Sequence, residues 1–309
     1  MKKWILGLLT LWISANAMAF PITLEHKYGT LTLQNKPTRI VSVGYSDQDD
    51  VLSFGVKPLA VRDWYGNQPY GIWPWAQVQL GDHKPVVLKP RILDYEAIAA
   101  LKPDLIVGVS SVMSAKEYKK LNAIAPTLAQ PKEYADYTIP WYVRHLIIGK
   151  ALGFEQQAEK NIKTLKQKLI DIKTTHPEFK NKTTAVAFYY NKQPGAYVSK
   201  DLRSQFLINL GFVIPKEIDD LAGDAFYASF SEERLDLLNV DVLIWLDEKE
   251  TIENSSNPIF RKRMAFYKQK REYFTGGLVG GAFSFFNYLS ISYLLDEMIP
   301  ELAKIAEKE

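Results

Sequence analysis

Cysteine is absent from all 309 residues of this chain. Disulfide bonds, thiolate metal sites, lipid-modified cysteines and cysteine nucleophiles are excluded with it. Histidine is scarce, and His26, His83, His145 and His176 are scattered without the close spacing of a metal site. No glycine-flanked serine elbow, phosphate loop or dinucleotide fingerprint occurs; Gly108 and Ser110 lack the second glycine that the elbow requires. These absences disfavour an enzyme and a bare-metal binder alike. No stretch approaches the ~20 uninterrupted apolar residues of a membrane-spanning helix. Charge of one sign is not in excess either. The formal net charge is +3, and it falls to +1 once Lys2 and Lys3 leave with the acid-free residues 1–19, a balance that gives nucleic-acid binding no support.

What the chain does contain begins with a leader. Lys2 and Lys3 precede the apolar run from Trp4 to Ile13, and Ala17, Met18 and Ala19 form a small-x-small cleavage pattern, so residues 1–19 read as a secretory signal peptide. The mature chain is expected to start at Phe20. With 47% hydrophobic and 24% charged residues it is long enough and apolar enough to bury a sizeable core. A chain exported without lipid, transmembrane or wall-anchoring signals is expected to be soluble in a bacterial periplasm.

The stretch from Pro140 to Lys173 organises the rest. From Ala158 the apolar residues Ile162, Leu165, Leu169 and Ile172 recur at steps of four and three, which predicts one apolar helical stripe. Gly149 and Gly153 interrupt the first part, so the spacing predicts either two consecutive helices or one helix kinked near Gly153 and Phe154. On each side lies an α/β pattern. Before it, Ile22–Leu24 and Thr30–Leu33 read as a hairpin, and Arg39–Val43, Leu59–Val61 and Leu105–Val109 read as buried strands separated by helices. Beyond it, Thr184–Tyr190 and Val240–Leu246 repeat the strand signature, and Ser290–Ala306 reads as an amphipathic helix. The organisation expected is an N-terminal lobe at residues 20–139, a helical connection at 140–175 and a C-terminal lobe at 176–309.

In open parallel sheets a ligand sits outside the carboxyl ends of the strands. Directly after Val61 come Arg62, Asp63, Trp64 and Tyr65, followed by Tyr70, Trp73 and Trp75 in a stretch rich in glycine and proline. Solvated loops seldom collect so many large aromatic rings unless they pack or bind something.

The wording of the chain also carries information. The segments RIVSVGYSDQDDVLSFGVKPLAV, LDYEAIAALKPDLIVGV, LNAIAPTLAQ, LIIGKALG and DLLNVDVLIWL, in this order across nearly the whole mature chain, resemble the periplasmic iron-siderophore binding proteins of ABC importers. The runs DWYGNQPYGIWPWA and EIDDLAGDAFYASFSEERLDLLNVDVL are similar to a subgroup of ferric-siderophore binders. The resemblance implies two Rossmann-like α/β lobes joined by a long rigid helix, with the ligand in the cleft between them. It implies capture of a ferric siderophore and delivery to an inner-membrane ABC permease. A monomer without cofactor or resident metal site is expected, and whether a protein side chain coordinates the siderophore's iron is left open by the sequence. Haem and cobalamin remain alternatives, since binders of both share this architecture.

Ferric siderophores are bulky, commonly anionic and partly aromatic, so guanidinium groups and aromatic faces suit their cleft. The candidate ligand contacts are Arg62, Trp64, Tyr65, Arg91, Arg203, Tyr227, Phe283 and Phe285. A catecholate or mixed catecholate is the class this set suggests. In the resembled family an acidic residue on the outer surface of each lobe meets the permease, and the matching positions are Asp49, with Asp50 as neighbour or substitute, and Glu233.

Overall fold

The computed structural model describes residues 20–308, so the leader assigned to residues 1–19 lies outside the described residues. Strands β1 (Ile22–His26) and β2 (Gly29–Leu33) form the expected antiparallel hairpin, and Leu31 and Leu33 turn inward. Strands β3 (Ile40–Ser42), β4 (Ala60–Arg62), β5 (Val86–Leu88), β6 (Leu105–Gly108) and β7 (Thr127–Ala129) make an all-parallel sheet in the order β5-β4-β3-β6-β7. All but the edge strand β5 are buried along their length, as a parallel sheet covered on both faces requires. Side chains alternate between two cores: Ile40, Leu105 and Val107 face one cluster, and Val41 and Ile106 face the other. The chain winds away from β3 through β4 and β5, then returns to its other side through β6 and β7. The order therefore switches between β3 and β6, which places a crevice at the carboxyl ends of the strands.

The second lobe carries β8 (Thr184–Tyr190), β9 (Gln193–Tyr197), β10 (Tyr227–Ser229), β11 (Val242–Trp245) and β12 (Glu272–Phe274), in the order β10-β9-β8-β11-β12. Strands β8, β11 and β12 run parallel, whereas β9 and β10 add antiparallel edges. The β8–β9 turn is two residues, Asn191 and Lys192, both at positive φ (49° and 61°). That is the conformation whose twist matches a tight hairpin, but a lysine replaces the usual glycine and hides it in the sequence.

Two helices, Trp141–Ala151 and Glu155–Thr175, join the lobes, with Gly153 at φ 73° in the turn between them. Their apolar residues account for the connection. The first helix places Trp141 in the second lobe's core and Ile148 in the first lobe's, and the second divides Leu165 and Leu169 from Ala158 in the same way. Each fully buried large side chain contributes about 1.5–3 kcal/mol, so pulling the lobes apart would uncover residues at both ends of both helices.

Candidate ligand-binding cleft

The carboxyl end of β4 builds one wall. Arg62 is the last residue of the strand and is 4% exposed; its Nε donates to the carbonyl of Pro90 at 2.8 Å and Nη1 to that of Val43 at 3.4 Å. The guanidinium lies over the ring of Tyr45, 4.4 Å from its centroid, and Tyr45 in turn meets Trp64 at 5.4 Å. Trp64 and Tyr65 pack edge to face at 4.9 Å.

Opposite them stands the second lobe. Arg203 opens the helix Leu202–Leu210, whose cap Asp201 accepts from the Arg203 backbone N–H at 2.9 Å and pairs with its Nη1 at 3.0 Å. The Arg203 guanidinium lies 4.2 Å from the centroid of Tyr197 at the end of β9, and Tyr227 is paired with Tyr197 across β9 and β10. Tyr65 meets Phe285 of this lobe at 6.1 Å. Burial pushes its phenol above the ordinary tyrosine range, against the opposing influence of Ser284 and Arg203 beside it, with Tyr197 adding to the rise. Although 37% of Tyr65 is exposed, the groups that perturb its hydroxyl all belong to the other lobe. Tyr197 is likewise pushed up by burial, with Arg203 pulling it down.

Beneath these groups the lobes meet through aromatic rings. Phe285 lies 5.5 Å from Trp64, 6.1 Å from Tyr65 and 5.6 Å from both Trp73 and Trp75. Trp73 and Trp75 stack at 4.9 Å, and Trp75 belongs to a helix, Pro74–Leu80, that the glycine and proline around it concealed. Gly281 is required by this closeness, because a Cβ there would lie 2.5 Å from the ring of Trp73.

Trp64 and Tyr65 of the first lobe thus meet the buried Phe285 of the second, while Arg62 stacks with Tyr45 within the first lobe and Arg203 and Tyr227 gather around Tyr197 within the second. Other expected residues lie elsewhere. Phe283 is 1% exposed and packs edge to face on Phe206 inside the second lobe, so it is core and not a wall. Arg91 is exposed, one residue beyond the Pro90 that holds Arg62, and makes no ion pair among the described residues. Asp49 and Asp50 require correction. Both are completely buried, Asp49 accepting from Trp75 and Asn287 and Asp50 from Arg144 and His145, so neither is presented on an outer surface. Glu233 is exposed, at the start of the 3-10 turn Glu232–Leu238. The sequence reading missed Tyr45 and Tyr197, although Tyr45 follows β3 as Trp64 follows β4 and the same strand-end rule applied to it. Among the described residues no three or more His, Asp or Glu are grouped to hold a metal ion.

A family model described as periplasmic binding protein matches residues 40–270. The chain belongs to the periplasmic binding protein family. This binding protein is 28% identical to the probable siderophore-binding lipoprotein YfiY of Bacillus subtilis, over 74% of this chain and 69% of that protein. It is 29% identical to the Fe(3+) dicitrate-binding periplasmic protein FecB of Escherichia coli, over 64% of this chain and 63% of that one. A crystal structure of a periplasmic solute binding protein from Mycobacterium smegmatis superposes with a TM-score of 0.79 at 34% identity, covering 92% of this chain and 98% of that one. The Mycobacterium smegmatis protein and this chain share one fold.

Proposed function

We propose that the protein captures a ferric siderophore between its lobes and hands it to an inner-membrane ABC importer from the periplasm. One observation carries this: Arg62 in one lobe and Arg203 in the other each lie over a tyrosine ring, and Tyr65, close to Arg62 in the chain, meets Phe285 of the second lobe. Fixed cations on aromatic faces suit a bulky anionic ligand with planar iron-binding arms. The names of YfiY and FecB support a ferric ligand over haem or cobalamin. Iron held by the siderophore's own donors needs no protein ligand.

Arg62 has no carboxylate within ion-pair distance among the described residues, whereas Asp201 already pairs with Arg203. One of the two guanidinium groups is thus left without a carboxylate partner, which suits an anionic catecholate or mixed catecholate better than a neutral hydroxamate. The protein acts as a monomeric carrier and not as a catalyst, and it needs no cofactor. Quenching of tryptophan fluorescence by ferric catecholates, ferric dicitrate, ferric hydroxamates, haem and cobalamin tests the reading. Saturable binding of an anionic ferric siderophore is expected. Tight binding of haem or cobalamin, with no response to any ferric siderophore, overturns it.

A further inference from the structure

Between the lobes runs a seam of polar side chains shut off from water. Asp49, Asp50, His145 and Asn287 have no exposed surface, Arg144 is 5% exposed and Asn161 7%. Among these six side chains only Asp49 Oδ1 is buried without a hydrogen-bond partner. Asn287 caps the helix Tyr288–Ala306, its Oδ1 accepting from the backbone N–H of Leu289 at 3.0 Å and of Ser290 at 2.9 Å. That fixes the amide orientation, so its Nδ2 faces across the seam and donates to Asp49 Oδ2 at 2.8 Å. The same oxygen accepts from Trp75 Nε1 at 2.7 Å. Beside this, Arg144 donates from Nε to Asp50 at 2.9 Å and from Nη2 to the carbonyls of Phe286 at 2.9 Å and Phe285 at 3.4 Å. His145 donates from Nδ1 to Asp50 at 2.8 Å, and its Nε2 accepts from Asn161 at 3.1 Å.

These bonds converge on one elbow of the second lobe. Phe285 ends the helix Gly276–Phe285, Phe286 turns with φ 40°, and Asn287 caps the next helix. Both of the elbow's polar anchors come from outside that lobe: Asp49 from the helix after β3, and Arg144 from the connecting helix. The ring of Phe285, which floors the cleft, is fixed by the same backbone. A buried donor or acceptor that loses its partner inside such a seam is left unsatisfied, so the alternatives to this arrangement are few.

We infer that Asp49, Asn287 and Arg144 form an interlobe latch that sets the angle between the lobes and holds Phe285 beneath the cleft, which makes them positioning residues that do not touch the ligand. Its consequence for ligand capture rests on the cleft reading given above, but the latch itself is a property of the ligand-free protein.

The absence of native cysteine allows clean spin labelling. Lys119→Cys and Glu250→Cys place one exposed label on each lobe, for pulsed dipolar distance measurement without ligand. In that background Asn287→Ser keeps a capping hydroxyl for the helix but is too short to reach Asp49. Arg144→Lys keeps a charge for Asp50 but not the second arm to Phe286. Asp49→Asn still offers an oxygen to Trp75 and Asn287. The latch predicts one narrow distance for the unaltered seam and for Asp49→Asn, and a broadened or shifted distribution for Asn287→Ser and Arg144→Lys while circular dichroism remains native. A native distance distribution in either of those two folded variants overturns the latch. Unfolding of both also overturns it, since the seam would then be ordinary core. A failed siderophore titration leaves these distances unaffected, so the two readings fail separately.

Discussion

Arg62 lies over the ring of Tyr45 at 4.4 Å, and two of its five N–H donors are committed to the carbonyls of Pro90 and Val43. The uncommitted donors are those a bound anion would use. Hydrogen bonds to charged groups are worth about 1.5–3 kcal/mol, so Arg62→Ala is expected to weaken binding of an anionic ferric siderophore by roughly 10- to 100-fold. Arg62→Lys restores the charge but not the planar fork and should recover only part of it. Titration of tryptophan fluorescence measures both, since Trp64 adjoins Tyr45. Affinity within about twofold of native for Arg62→Ala would remove this side chain from the site, because that ratio is far below one charge-assisted bond.

A second expectation concerns packing between the lobes. Alanine at Gly281 would bring its Cβ to 2.5 Å from the Trp73 ring, which is itself wedged between Trp75 and Phe285. Overpacking of this kind typically costs about 1–3 kcal/mol. Gly281→Ala should lower the melting temperature and change the emission of the stacked tryptophans, whereas Gly277→Ala, where a Cβ meets nothing within 4 Å, should not. Equal melting temperatures for the two variants would show that the lobes are not in contact here in solution.

The buried seam also predicts a pH dependence. Burial pushes the Asp49 carboxyl up to about 7; Asp50 raises it further, while hydrogen bonds from Trp75 and Asn287 and the charge of Arg144 pull it down. The sign follows from proton binding. With its folded pKa above its unfolded one, Asp49 contributes most stability below about pH 4 and progressively less as the pH rises to about 7. Asp49→Asn removes this dependence, so the stability of the variant relative to the native protein should rise across that interval, by an amount on the order of a few kcal/mol. Thermal melts of both proteins at several pH values between 4 and 8 provide the check. A difference that stays constant or falls with pH would show that Asp49 is not held in its raised state.

Much of this was legible in the sequence because the signals were local. Short apolar runs such as Leu105–Gly108 read as buried parallel strands, and Gly153 marked the break between the connecting helices. Arg62, Trp64 and Tyr65 were legible as candidates because they follow β4, and a strand end is where such a sheet presents a ligand. The seam was not. Adjacent acids at a helix start ordinarily face water and complement the helix dipole, and nothing near Asp49 reveals that its partner Asn287 lies 238 residues away, or that Arg144 lies 94 residues from Asp50. Phe283 and Phe285 are only two positions apart in one glycine-rich helix, and just one of them reaches the cleft. Helical spacing turns neighbours toward different surroundings, and only tertiary packing tells which is which.

With Asp49 and Asp50 buried, Glu233 is the acid left from which to test the proposed docking to a permease. Two adjacent acids there have different environments. Glu232 is turned inward, its Oε1 accepting from the backbone N–H of Asn257 at 2.6 Å and from the hydroxyl of Tyr189 at 3.3 Å. Glu233 is exposed and makes no hydrogen bond or ion pair among the described residues. An exposed acid meeting an arginine contributes modestly, at most about 1 kcal/mol in water, which suits a carrier that has to leave after delivery. Glu233→Ala is therefore expected to leave siderophore affinity and melting temperature unchanged while lowering uptake into cells, or transporter-stimulated ATP hydrolysis, more strongly at low salt than at high. Glu232→Ala should do the reverse: it strips Asn257 and Tyr189 of their acceptor and lowers the melting temperature. If Glu233→Ala transports normally at every ionic strength tested, with native amounts of protein in the periplasm, then this acid does not meet the permease.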